Sequence, residues 1–281
     1  MSQQNNIDQE RYFSDPEYRR QIAQESGNRS TSTSGLKQAL IVVGSMIIIG
    51  LVIISTYGFF LFQGLPSIDQ LENPDTAIAS EVRSRDGIVL DKYFTENRTW
   101  VRYQDISPYA VHALISTEDH RFYNHWGMDM FRTLAIPINI LRGRVEGGST
   151  LSQQLARNLY KEIGQKFSVS RKFREMITAV QIEKNYTKKE IIEMYLNTVE
   201  YSNSAFGIEA ASRTHFNKSA KDLNILEAAT LVGSVNAVYA YNPRLFSERS
   251  KQRRNIVLRL MNRQGYISES GLNEYLSLIH I

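Results

Sequence analysis

The sequence predicts a mainly α-helical protein carried behind a single transmembrane helix and a short β-hairpin. Three observations lead there. Ala39 to Phe62, ALIVVGSMIIIGLVIISTYGFFLF, runs for more than twenty residues without a charge, enough to cross a bilayer once as a helix. The segment SEVRSRDGIVLDKYF alternates around Arg85-Asp86-Gly87, whose turn formers mark a hairpin. From Ser107 nearly to the end, apolar residues recur at helical spacing.

The chain of 281 residues is long enough for one or two domains with an ample core. Its net charge of +4 suits an anionic partner, and no nucleic-acid partner is expected. The absence of cysteine excludes disulfides and thiolate metal sites. A Gly-rich phosphate loop, HExxH and GxSxG are likewise missing, which removes the nucleotide, zinc-protease and serine-hydrolase classes that those motifs mark.

Arg19, Arg20, Arg29 and Lys37 precede the apolar run, whereas Asp69, Glu72, Asp75 and Glu81 follow it before the next basic residue, Arg83. By the positive-inside rule the N-terminus is cytoplasmic and the rest lies outside, as in a single-pass type II protein of a bacterial inner membrane. Residues 1–38, polar and rich in Ser, Thr, Asn and Gln, read as a disordered tail. Residues 39–62 are the span, and 63–106 a linker holding the hairpin. Residues 107–275 form the main helical domain, and the closing 276–281 resemble a translated adapter rather than native sequence.

Within the domain, Ser107-Pro108 starts a helix on which Val111, Leu114, Ile115, Glu118 and Phe122 share one side. A carboxylate there costs free energy unless it is paired or has a task. GGSTLSQQLARN, 147–158, places glycines before a Ser/Thr helix cap, so backbone amides at the helix start are available to an anion. Gln154, Arg157, Asn158 and Lys161 fall on the face opposite Leu151, Leu155 and Leu159. In RKFREM, 171–176, the spacing turns Phe173, Ile177 and Val180 to the core and groups Arg171, Lys172 and Glu175. Thr187-Lys188-Lys189-Glu190 fits a capping box ahead of an amphipathic helix. RRNIVLRLM, 253–261, turns Val257, Leu258 and Met261 inward and its basic residues outward.

Taken together these stretches resemble the peptidoglycan glycosyltransferases of family 51, the polymerase domain of class A penicillin-binding proteins. The first motif stands as Glu118-Asp119, Phe122, His125 and Gly127, and the second as Gly148-Ser149-Thr150 with Gln153-Gln154. Arg171-Lys172 with Glu175 make the third; Lys189, Ile192, Glu193 and Tyr195-Leu196-Asn197 the fourth; Arg253-Arg254, Val257-Leu258 and Met261 the fifth. The loop Glu200–Gly207 departs from the glycine-punctuated pattern of the family. Ser-x-x-Lys occurs only at Ser34–Lys37 and Lys-Thr-Gly not at all. The chain is therefore expected to stop short of a penicillin-sensitive transpeptidase and to bind no penicillin.

The resemblance implies a lysozyme-like, two-lobed helical domain that polymerises lipid II into β-1,4-linked glycan with release of undecaprenyl diphosphate. Glu118 is then the base and Glu175 acts on the donor side, orienting cations or stabilising developing charge. Asp119, Phe122, His125, Gly148, Ser149, Thr150, Gln153, Gln154, Arg157, Asn158, Arg171, Lys172 and Asn197 are its expected substrate-binding residues. No cofactor is required, although a divalent ion such as magnesium or manganese at the diphosphate is compatible with the chemistry. The implied partners are lipid II, the growing glycan, membrane lipids and other wall-synthesis proteins. Met130 to Arg144, apolar with basic edges, fits either an interfacial segment that admits lipid tails or a core helix. A lysozyme-type glycan-cleaving enzyme also uses carboxylates in a cleft, and a non-catalytic membrane-anchored scaffold is the third reading.

Overall fold

The structure, a computed structural model, describes residues 12–63, 65–67, 80–83, 85–86, 89–93, 97–141, 147–160, 163 and 168–278. The chain divides into two compact units, Met1–Gln63 and Gly64–Ile281.

The first unit holds one helix, α1 (Pro16–Phe62). Asp15 caps it, its Oδ1 accepting from the backbone N–H groups of Glu17 and Tyr18 at 2.8 and 3.3 Å, and Pro16 has no N–H to leave unpaired. Lys37–Phe62 within it is long and apolar enough to cross a membrane. Residues 16–38 thus depart from the disordered tail expected of their composition. With a capped start and an apolar run that is helical in any case, each residue between them extends an existing helix, which costs far less than nucleating one.

In the second unit β1 (Ser80–Arg83) and β2 (Val89–Tyr93) pair antiparallel, Ser80 opposite Tyr93, with an irregularity between Val82 and Arg83. This is the hairpin read from the alternation. β3 (Asn97–Arg98), β4 (Glu200–Tyr201) and β5 (Ala205–Phe206) form a small sheet in the order β3-β5-β4. The departing loop Glu200–Gly207 is therefore a tight hairpin, turned by Asn203 and Ser204 at φ 63° and 55°.

The remaining elements are helical. They are α2 (Pro108–Glu118), α3 (Met130–Leu141), α4 (Leu151–Leu159), α5 (Val169–Asn185), α6 (Lys188–Thr198), α7 (Ile208–Phe216), α8 (Ile225–Val235), α9 (Ser247–Arg263) and α10 (Glu269–Ser277). α2 starts at Pro108 as expected, but Ser107 does not cap it: its hydroxyl donates to the Leu223 carbonyl at 2.7 Å. Val111, Leu114 and Ile115 are buried in a core where α2 packs on α8 and α9. Gly233 lets α8 and α9 approach, since a Cβ there would stand 3.1 Å from Arg253 Cγ. Val257, Leu258 and Met261 face inward as read, yet Arg254 is also fully buried, donating to Asn255 Oδ1 and the Leu278 carbonyl.

α4 packs on α5 and α6. The capping box of α6 forms as expected: Glu190 N donates to Thr187 Oγ1, and Thr187 N to Glu190 Oε2. α5 presents the opposite face from the one its apolar spacing implies. Glu175, Thr178, Ala179 and Ile182 are buried, whereas Phe173 is 45% exposed. Burying a carboxylate is tolerable here because two cations accompany it. In α3, Phe131 and Leu134 stand 73% and 69% exposed, so these residues do not serve as core.

Candidate active site

Glu118 is the last residue of α2, half-buried at the edge of a cavity of about 350 Å³. Thr117, Arg132, Gly147, Ser149, Gln154, Arg157, Val235 and Asn236 complete the lining. Gln154, on the first turns of α4, donates from Nε2 to Glu118 Oε2 at 2.9 Å, while its Oε1 accepts from the Tyr195 hydroxyl at 3.0 Å. Burial pushes that hydroxyl well above the ordinary phenol range, and the charge of Glu118 pushes the same way, so Tyr195 remains a donor. Arg132 Nη1 reaches the Glu118 carbonyl at 3.3 Å. The cavity therefore combines one carboxylate with two guanidinium groups, those of Arg132 and Arg157.

Behind the cavity wall, Asp119 holds the turn that follows α2. Its Oδ2 accepts from Leu151 N and from His125 Nε2, both at 2.9 Å. Gly127 N donates to His125 Nδ1 at 3.3 Å, which leaves the proton on Nε2 for Asp119. Gly127 adopts φ 100°, and a Cβ would lie 2.7 Å from the Ala179 carbonyl oxygen, so the turn sits on the backbone of α5. Thr150 caps α4 and donates to the Gly127 carbonyl at 2.7 Å. The start of α4 is thus not an open anion site: its first N–H is taken by Asp119.

Glu175 is 1% exposed and clamped by two cations. Its Oε1 lies 3.2 Å from Arg171 Nε and its Oε2 3.2 Å from Lys172 Nζ. Lys172 also donates to Ser149 Oγ and Gln153 Oε1, both at 2.7 Å, which satisfies all three protons of its ammonium. Burial lowers the Lys172 pKa from the ordinary lysine value; Glu175 opposes this, while Arg157 and Arg171 add to it. Through Ser149, the Lys172–Glu175 pair connects to the cavity wall.

The cavity thus gathers Glu118, Ser149, Gln154 and Arg157 as expected, with Gly148 beside Ser149, and sets Arg171, Lys172 and Glu175 behind them. Other expected contacts are scaffold. Asn197 is fully buried, its amide spent on both backbone groups of Val101 and on the Glu193 carbonyl. Asp119, Phe122, Thr150 and Gln153 are buried, and the His125 ring is bound to Asp119. They shape the wall without lining it. Asn158 is exposed outside the lining, and Lys161 lies outside the described residues. Arg132 is the principal addition. It follows Glu118 by fourteen residues and returns through a turn and the start of α3, so no periodicity joins the two. Among the described residues no three His, Cys, Asp or Glu side chains group as metal ligands.

The family model described as Transglycosylase matches residues 86–262, most of the chain and all of this site. The chain belongs to the transglycosylase family. It is 37% identical over 222 residues to penicillin-binding protein 1A of Pseudomonas aeruginosa, covering 78% of this chain and 27% of that protein. It is 38% identical over 216 residues to penicillin-binding protein 2D of Bacillus subtilis, covering 76% and 30%. The chain therefore spans less than a third of the length of these relatives. The crystal structure of penicillin-binding protein 1A from Haemophilus influenzae aligns over 74% of this chain and 21% of that one, with 20% identity and a TM-score of 0.42. The matched residues include the whole lining of the cavity, Thr117 to Asn236.

Proposed function

We propose that the chain is a membrane-anchored peptidoglycan glycosyltransferase that extends a lipid-linked glycan by one lipid II unit per cycle. The observation that carries the reading is the cavity itself. One carboxylate oxygen of Glu118 is held by Gln154, and the other, Oε1, has no hydrogen-bond partner among the described residues.

Glu118 Oε1 takes the proton of the acceptor GlcNAc 4-hydroxyl as that oxygen attacks C1 of the donor sugar. The C1–O bond to the diphosphate breaks, its electron pair leaves on the diphosphate oxygen, and configuration inverts from α to β. Arg157 and Arg132 stabilise the departing charge from the cavity wall. Arg171 and Lys172 support it from behind, and Glu175 orients both.

Lys37–Phe62 supplies the anchor that lipid-linked substrates demand, with the N-terminus cytoplasmic by its charge bias. Phe131 and Leu134, exposed on α3, provide apolar surface for lipid tails. Incubation of the detergent-solubilised protein with lipid II tests the reading: polymerised glycan is expected. Hydrolytic fragments without polymer would identify a glycan-cleaving enzyme instead, and unaltered lipid II a scaffold.

A further inference from the structure

Tyr195, on α6, is 1% exposed, lies four helices beyond Glu118 in sequence, and among the described residues its hydroxyl reaches the cavity lining through Gln154. The polarity of this chain of groups is fixed by chemistry. An ionised carboxylate only accepts hydrogen bonds, so Gln154 must turn its Nε2 toward Glu118. That leaves Gln154 Oε1 facing inward, where it needs a donor, and the Tyr195 hydroxyl is the donor it meets at 3.0 Å.

We propose that Tyr195 is a positioning residue for glycosyl transfer, acting through Gln154 to hold Glu118 Oε2 and so present Oε1 to the acceptor hydroxyl. The proposal rests on the glycosyltransferase reading and adds a residue from α6 to it. Each link has a single orientation. Without the Tyr195 hydroxyl, Gln154 Oε1 faces a buried ring edge with nothing to pair it, and the amide turns to find a partner. Glu118 then loses its one charge-assisted contact and samples rotamers in which Oε1 is off line. A proton-accepting group misplaced in this way slows the chemical step but leaves substrate binding nearly untouched.

A double-variant cycle on lipid II polymerisation tests this. Tyr195→Phe keeps the ring and removes only the oxygen. It should lower kcat about tenfold, the scale of one buried hydrogen bond, with KM within about twofold. Gln154→Ala should lower kcat at least as much. The decisive arm is the Tyr195→Phe change made in the Gln154→Ala background, where it should alter kcat by less than about twofold because the link it acts through is gone. Two results overturn the proposal: wild-type kcat in Tyr195→Phe, or an undiminished tenfold loss in the Gln154→Ala background. The second is also what a general packing defect at Tyr195 would produce. The parent protein in the same assay separates the two levels of the argument. If it fails to polymerise lipid II, the glycosyltransferase reading falls and the proposal falls with it; if it polymerises while the cycle is additive, only the positioning role is lost.

Discussion

Glu118 and Glu175 are both helical carboxylates within one domain, and their surroundings are opposite. Glu118 sits half-buried at a cavity edge, with one neutral amide on Oε2 and Oε1 open. Glu175 is buried, with a cation on each oxygen. A carboxylate that must accept a proton has to keep a lone pair free and an approach open to its substrate. One that must orient cations needs the reverse, enclosure beside its paired charges. In the proposed mechanism it is therefore the unspent oxygen facing a cavity, and not burial alone, that selects Glu118 as the base.

The largest effect that would break this contrast is expected at Glu118. Glu118→Gln retains shape and can still accept from Gln154, but it cannot take a proton. Lipid II polymerisation should fall by roughly a hundredfold or more, with KM little changed; near-parental turnover would remove Glu118 from the chemistry. Glu175→Gln should have a smaller kinetic effect, about tenfold, because it acts only through Arg171 and Lys172. A loss matching that of Glu118→Gln would place Glu175 at the reacting atoms instead.

The smallest expected effect is a pH shift. Lys172 acts as a cation, and burial lowers its pKa below the ordinary lysine value. Its charge, and the rate that depends on it, should therefore be lost as pH rises through a point below about 10.4. Lys172→Arg, whose guanidinium keeps its proton throughout, should cost only severalfold at neutral pH and move the alkaline limb upward. Coincident limbs in parent and variant would show that Lys172 is not the group that titrates there.

The sequence was most informative where chemistry is local. The capping box of α6, the hairpin around Arg85-Asp86, and the grouping of Arg171, Lys172 and Glu175 on one helix turn all follow from short spacings. Gln154 and Arg157 share a helix face for the same reason. Legibility ended where partners are distant or where pairing overrides hydrophobicity. Arg132 meets the Glu118 carbonyl only through the turn at Gly127. Periodicity inverts the face of α5 because it counts Phe173 as a core residue and gives no weight to a twice-paired Glu175 as the better buried group. Asn197 has the polarity of a ligand-binding residue, yet serves to join α6 to Val101.

The division of roles between the two acids is tested most directly by the thermal midpoints of Glu118→Gln and Glu175→Gln, measured side by side. Glu118 has an open oxygen and a single amide contact, so its variant should melt within about 2 °C of the parent. Glu175→Gln breaks a buried, doubly paired charge. It should lose roughly 2 kcal/mol, which for a domain of this size is about 4–8 °C. Equal losses, or a larger one for Glu118→Gln, would contradict the account.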